Sequence, residues 1–254
     1  MNYGKSEYLQ LDTFEHYLAS LSSPVDAFLE EHLLESEYQR IIHNDAEVGF
    51  FATRNDALLT QFHLTGTARR LGRECFTDIL ERFNPTSAFV PTCDEFFLSH
   101  ALDKHTSLKN QAMFWTDHGE EKAIKIEAVK PTYRLAEPMD IPQLNAIENS
   151  ILDDPSEWIQ RGELHVGYLG NELVAIGVIE SSKFWPGQAS IGMLTHEAHR
   201  QQSIGTQTLC YLKKMCLDAG VLPVAGCAYA NKNSQKTLQA AGMVSATRLL
   251  KLTL

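Results

Sequence analysis

A Gly170-Asn171 pair set between two apolar runs constrains this chain more than any other feature of its sequence. Glycine and asparagine can supply the positive φ of a tight turn, so residues 165–169 and 172–180 read as the arms of a β-hairpin. Residues 190–195 follow as a third short strand. Between 205 and 219, Leu209, Leu212, Cys216 and Ala219 recur at i, i+3, i+7 and i+10, which places them on one face of a helix that stops at Gly220. Residues 224–228 then read as a strand, 233–241 as a helix closed by Gly242, and 244–253 as a last strand.

The first half carries a similar order. Strands are expected at 37–43, 47–53 and 57–65, the last two joined through Asn55-Asp56. A helix follows near 68–83, a strand at 87–90, a helix at 94–104 and a strand at 111–114. One architecture used twice is therefore expected. At 254 residues the chain is long for one core and comfortable for two. The break falls between Thr116 and Thr132, where a charged run and Pro131 separate two apolar stretches, and it gives domains of 1–130 and 131–254.

Charge sharpens that division. Residues 1–130 hold 12 basic and 21 acidic side chains, residues 131–254 hold 10 and 11, and the chain carries a net −10. So acidic a protein is poorly suited to neutralising a phosphate backbone, and nucleic acid is not an expected partner. No apolar run reaches the roughly 18 residues of a membrane span, the longest candidate being 173–179, so no membrane partner is expected either. The opening residues lack the apolar stretch of a secretory signal. Five cysteines, Cys75, Cys93, Cys210, Cys216 and Cys227, form no CxxC pair. Reduced, mostly buried thiols in a cytoplasmic protein are the expectation.

The stretch 194–207, LTHEAHRQQSIGTQ, lies between a strand and a long helix. Amide groups at the start of a helix have no partner within it and sit at the positive end of its dipole, so small residues there let a loop wrap a pyrophosphate. Ser203 and Gly205 are small, Arg200 adds a charge and Thr206 a hydroxyl. An ordinary strand-to-helix turn is the competing reading. Neither GxxxxGK[ST] nor GxGxxG occurs at this point, which disfavours a nucleotide P-loop or a dinucleotide fold.

Arg200, Ser203 and Gly205 fill the three places of an Arg/Gln-x-x-Gly-x-Gly/Ala pattern, and the segment 193–206 resembles the acyl-CoA loop of the GNAT superfamily of N-acyltransferases. Asn231-Lys232-Asn233-Ser234 followed by Ala241-Gly242-Met243 resembles that family's next motif at the expected separation. The resemblance covers residues 132–254. It implies an α/β fold with a mixed, mostly antiparallel sheet flanked by helices, splayed between the Ser190 and Val224 strands, with acetyl-CoA as cosubstrate in the splay. Leu194 and Thr195 would then offer main-chain groups to the pantetheine arm. Arg200, Gln201, Gln202, Ser203, Ile204, Gly205 and Thr206 would cradle the pyrophosphate, and Asn231 and Ser234 would line the thioester end. Two departures stand out: serine replaces glycine at 203, where positive φ is at stake, and Leu238 stands where the family often has a thiolate-protonating tyrosine.

Acyl transfer also requires the attacking amine to lose a proton. Glu180, at the end of the hairpin's second arm, is the first candidate base and Glu197 the second. Tyr229, with Cys227 as an alternative, is the candidate donor to the departing thiolate. His196 and His199 lie three apart but lack a third ligand, so no metal is expected. The first half keeps Arg69-x-x-Gly72 but has Glu74 where the second small residue belongs, and it has no Asn-x-x-Ser after the strand at 87–90. A carboxylate facing a pyrophosphate is repulsive, which marks a degenerate GNAT-like copy without cofactor. The expectation is thus a tandem protein whose second domain moves an acetyl group from acetyl-CoA to a primary amine of a small molecule or peptide by direct attack. A non-catalytic acyl-CoA-binding or regulatory module is the alternative, and an interaction protein using its acidic half a third reading. Acceptor, acyl length and oligomeric state are not encoded legibly.

Overall fold

The computed structural model describes residues 1–118, 129–147, 152 and 154–254. Most of the charged run expected to link the halves lies outside these residues. The described chain forms two compact units: Met1–Phe114 with Ala228–Ala230 and Ala246–Leu254, and Trp115–Cys227 with Asn231–Ser245.

In the first unit β1 (Asn2–Ser6), β2 (Glu37–His43), β3 (Ala46–Arg54) and β4 (Leu58–Leu64) pair antiparallel in that order. Asn44 and Asp45 join β2 to β3, and Asn55 and Asp56 join β3 to β4. All four have φ between 52° and 61°. Asparagine and aspartate bear left-handed backbone better than other side chains, and two consecutive positive φ values match the turn to the strand twist. Next come α3 (Gly72–Phe83), preceded by a 3₁₀ segment over Gly66–Leu71, then β5 (Ser87–Pro91), α4 (Glu95–Leu102) and β6 (Ser107–Asp117). Strand β5 runs parallel to β4, paired only at Leu58↔Ser87 and Leu59↔Ala88, so the two diverge beyond.

The other neighbour of β5 is the chain's last strand, β12 (Met243–Thr253), antiparallel from Leu249↔Pro91 to Thr253↔Ser87. Phe51, Phe62, Phe76, Ile79, Val90, Phe97 and Leu252 share one apolar core, so β12 contributes to the interior of the unit as well as to its sheet. Two helices near the start, α1 (Phe14–Ser20) and α2 (Ala27–Leu34), precede β2 and were not expected from periodicity. They are two turns each, too short for a repeat of 3.6 to register.

The second unit follows the same plan: β7 (Thr132–Leu135), α5 (Ile141–Asn145), α6 (Pro155–Arg161), β8 (Leu164–Leu169), β9 (Glu172–Ser181), β10 (Gln188–Thr195), α7 (Ile204–Asp218), β11 (Leu222–Ala228) and α8 (Lys232–Ala240). Strands β7 to β10 are antiparallel neighbours. The expected hairpin is β8–β9, with φ of 59° at Gly170. Strand β11 joins β10 in parallel over only Gln188↔Leu222, Ala189↔Pro223 and Ser190↔Val224. Beyond Ser190, β10 stays paired with β9 out to Thr195↔Ala175. The sheet is therefore splayed between the Ser190 and Val224 strands.

Helix α7 lies across β9 so closely that a Cβ at Gly177 would come within 2.9 Å of Leu212 Cδ2. Leu209, Leu212 and Cys216 are buried as the helical spacing predicts. Ala219, the fourth member of that face, is exposed because the helix ends before it and turns at Gly220, φ 71°. The opposite face of β8–β9 is covered by Leu144, Ile147, Leu152 and Trp158.

Candidate active site

The site begins where β10 and β11 part. Ile191 to Thr195 have β9 on one side and, among the described residues, no strand partner on the other. A backbone edge of this kind can receive the amides of an extended ligand arm. Leu194 and Thr195, assigned to that task from sequence, lie on this edge, and both line a cleft of about 280 Å³ with Ala146, Ile147, His196, Glu197 and Arg200.

From Thr195 the chain passes through a 3₁₀ turn, Glu197–His199, into α7. Gln201 and Ser203 both adopt left-handed backbone, with φ of 63° and 62°. The glycine-to-serine change thus leaves the loop conformation intact, at the cost of a strained serine. The Ser203 side chain makes no cap to α7, whereas Asp26, Asp94, Asp154 and Asn231 each cap the helix they precede. The first amides of a 15-residue helix are consequently open to an anion at the positive end of its dipole. Gly205 lies in the first turn. A Cβ there would stand 3.0 Å from Met193 Cε and 3.2 Å from Thr195 Oγ1, so a side chain at this position would press the Met193 and Thr195 side chains away from the end of β10. These features suit the pyrophosphate and pantetheine of an acyl-CoA.

Charge at the loop is modest. Arg200 is exposed and its guanidinium lies 3.5 Å from Glu197. Glu197, the second candidate base, is thereby paired at the surface. His199 Nε2 lies 2.9 Å from Glu172 Oε1, and this contact holds the Glu172 carboxyl below its ordinary range. The two loop histidines face each other with ring centres 5.9 Å apart. Among the described residues no group of three metal-ligating side chains forms.

The remaining predicted residues fall in different places. Glu180 is half-buried on β9 opposite Ser190, where the β10–β11 pairing ends. By strand alternation it shares the face of Ile176 and Val178 and not the face under α7. Asn231 spends its side chain on α8, its Oδ1 accepting from the Ser234 N–H at 3.0 Å. Leu238 is buried in the core, which removes any donor from the usual tyrosine position. Tyr229 groups with the first unit, its N–H donating to the Gln111 carbonyl at 2.9 Å, and is about a third exposed. Burial pushes the Cys75 and Cys216 thiols up to about 11 and the Cys93 thiol to about 12, so none of these three is a ready nucleophile.

Periodicity missed the support behind α7. Tyr133 on β7 makes hydroxyl contacts with Thr208 Oγ1 at 3.1 Å and the Ile204 carbonyl at 3.5 Å, and its ring stacks on Tyr211 at 4.8 Å. Tyr211 in turn reaches His165 Nδ1 at 3.1 Å. The first turn of α7 is tied to β7 and β8 through this chain. Gly167 was the one available signal, since a Cβ there would lie 2.6 Å from the Tyr133 ring.

The would-be phosphate loop of the first unit differs in kind. Helix α3 starts at Gly72 with φ −53°, and the preceding turn has no left-handed residue after Gly66. The rings of His100 and Phe96 stand against Gly72, and the Arg69 guanidinium stacks on Phe96 at 4.6 Å. Glu74 is exposed in the first turn of α3.

A splayed mixed sheet with an uncapped helix leaving the parting strand defines a GNAT-type acyltransferase fold, present here twice. Residues 9–118 match a family model described as an acetyltransferase (GNAT) domain, and residues 127–243 match one described as the acetyltransferase (GNAT) family. The chain belongs to the GNAT superfamily and carries two of its domains in tandem.

Solved structures agree on the fold. An acetyltransferase from the GNAT family of Colwellia psychrerythraea superposes over the whole of both chains with a TM-score of 0.88 at 20% identity. A GCN5-related N-acetyltransferase from Sphaerobacter thermophilus gives 0.67 at 11%, over 99% of this chain and 95% of its own. A tandem GNAT protein from the clavulanic acid biosynthesis pathway gives 0.59 at 14%, over 100% and 98%. No curated protein matches the chain in sequence.

Proposed function

We propose that this chain is an N-acetyltransferase whose second unit transfers an acetyl group from acetyl-CoA to a primary amine by direct attack. The observation that carries this reading is the uncapped start of α7 beside the open edge of β10, with Gly205 packed against Met193 and Thr195. Amides of the loop bind the pyrophosphate, the β10 edge orients the pantetheine arm, and main-chain donors polarise the thioester carbonyl. Positioning and fixed dipoles supply most of the catalysis. Glu180 takes the proton of the amine, directly or through water, and water can return one to the thiolate, since Leu238 has no proton to give. The first unit binds no acyl-CoA, because side chains of α4 stand where its helix start would receive one. The protein works in the cytoplasm, and its acidic half favours a cationic acceptor, whose KM then rises with salt as the field is screened.

Calorimetry on the full chain tests the reading. Gly205→Glu, which crowds β10 and opposes the pyrophosphate with a negative charge, abolishes acetyl-CoA binding. Unchanged affinity in that variant would refute the loop assignment. Glu180→Gln lowers kcat by about 10² with acetyl-CoA affinity nearly unchanged, since a general base acts in the transition state. The buried Leu238 and the capping role of Asn231 favour one rival, a module that binds acyl-CoA without turning it over. Tight binding with no turnover on a panel of amines would select it.

A further inference from the structure

The cleft beside the open edge of β10 holds a histidine to which the phosphate loop gives no task. His196 lines it with Leu194, Thr195 and Arg200. Its main chain is fixed on both sides: the His196 N–H donates to the Val174 carbonyl at 2.9 Å, and the His196 carbonyl accepts from the His199 N–H at 2.9 Å. The half-buried ring thus stands on anchored backbone between the last residue of β10 and the turn into α7.

The two nitrogens of that ring are not equivalent. Nδ1 is buried and, among the described residues, has no hydrogen-bond partner; Nε2 has none either but keeps its access to solvent. A neutral imidazole carries one N–H and one bare nitrogen, and its surroundings decide which is which. An N–H at Nδ1 would be buried with no acceptor, whereas one at Nε2 can be taken up by water or a ligand, so the proton belongs on Nε2. Neighbouring donors are already engaged. The His199 ring, 5.9 Å away, has its Nε2 against Glu172 at 2.9 Å, and the Arg200 guanidinium lies 3.5 Å from Glu197. His196 therefore offers a neutral donor between the strand edge that suits a pantetheine arm and the helix start that suits a pyrophosphate.

We propose that His196 is a positioning residue for the cofactor, donating from Nε2 to a pyrophosphate oxygen where the pyrophosphate joins the pantetheine arm. This rests on the acetyl-CoA reading above. The loop amides approach the pyrophosphate from the α7 side and His196 approaches it from the β10 side. Held from both, the pyrophosphate sets how far the arm reaches along β10, and so where the thioester stops. A hydrogen bond to a charged oxygen is short and directional, which suits that task.

Nitrogen NMR on the full chain with isotope-labelled histidine reads the ring directly. The neutral His196 ring is protonated at Nε2, and acetyl-CoA and inorganic pyrophosphate each shift that signal, whereas acetylpantetheine, which lacks the pyrophosphate, leaves it in place. Calorimetry supplies a second arm. His196→Phe, which keeps an aromatic ring and removes the donor, lowers acetyl-CoA affinity about tenfold or more, the scale of a hydrogen bond to a charged group. His196→Gln, whose amide nitrogen reaches about as far as Nε2, restores most of the loss, a recovery that a purely structural role for the ring would not give. A proton found on Nδ1, an Nε2 signal indifferent to pyrophosphate, or equal affinity in the parent and His196→Phe would overturn the inference. Any of these, in a parent that binds acetyl-CoA, leaves the acetyltransferase reading standing; a parent that binds none defeats both.

Discussion

Ser203 shows how a single residue can carry strain for the sake of a loop. An L-residue held in left-handed backbone costs about 1–2 kcal/mol, a penalty that glycine escapes. Ser203→Gly is therefore expected to stabilise the protein by up to about 1 kcal/mol, offset by the extra chain entropy of glycine. Thermal unfolding checks this as a rise in melting temperature, with acetyl-CoA affinity retained. Asp140 is the counterpart in electrostatics. Its carboxylate accepts from Arg134 twice at 2.7 Å, from the Tyr168 hydroxyl at 2.8 Å and from the Glu137 N–H at 2.8 Å. The Arg134 guanidinium above all brings it down to about 2. A depressed folded-state pKa contributes stability above the unfolded value near 4 and loses it as pH falls towards 2. Asp140→Asn should destabilise by about 1–3 kcal/mol at pH 6, and urea titrations should show the gap to the parent closing between pH 4 and 2.

At the scale of elements, α7 is positioned by what it packs against. Gly177→Ala puts a methyl into Leu212 and should cost about 1–3 kcal/mol, because a close-packed interface has no room to yield. The displaced helix start should also weaken acetyl-CoA binding, which calorimetry would register, whereas Asn231→Ala, which removes only the α8 cap, should cost about 1 kcal/mol and leave that affinity unchanged. A large loss of affinity in Asn231→Ala would return its side chain to the cofactor site. Strong local signals made most elements readable: the Asn-Asp and Gly-Asn turns, the stripe Leu209, Leu212, Cys216, and Gly220 and Gly242 closing their helices. Elements missed were the brief ones, β1, β7, α1, α2, α5 and α6, whose four to eight residues hold too little period to detect.

For the whole molecule, β12 is decisive. Leu249 and Leu252 are fully buried in the first unit, although about 130 residues separate them from the end of β6. A chain ending at residue 245 should therefore lose the cooperative unfolding of its first unit, seen as rapid proteolysis within residues 1–114. Native-like protection there would show that β12 is dispensable. Contacts so distant in sequence leave no local trace, since each strand is specified by its alternation alone and many partners satisfy that pattern.

The sequence by itself determined two copies of one order of strands and helices, a strand-to-helix loop with small residues from Arg200 to Thr206, and a first copy that departs from it at Glu74. These follow from turn chemistry, helical period and the small residues a phosphate loop demands, all of them local. Tertiary structure alone decided that β12 completes the sheet beside β5, and that Ser203 takes the glycine conformation. It alone showed that Asn231 caps α8 and that Tyr133 anchors the start of α7. Each of these depends on which distant backbone or ring stands opposite a given residue, and that is fixed only when the sheet closes.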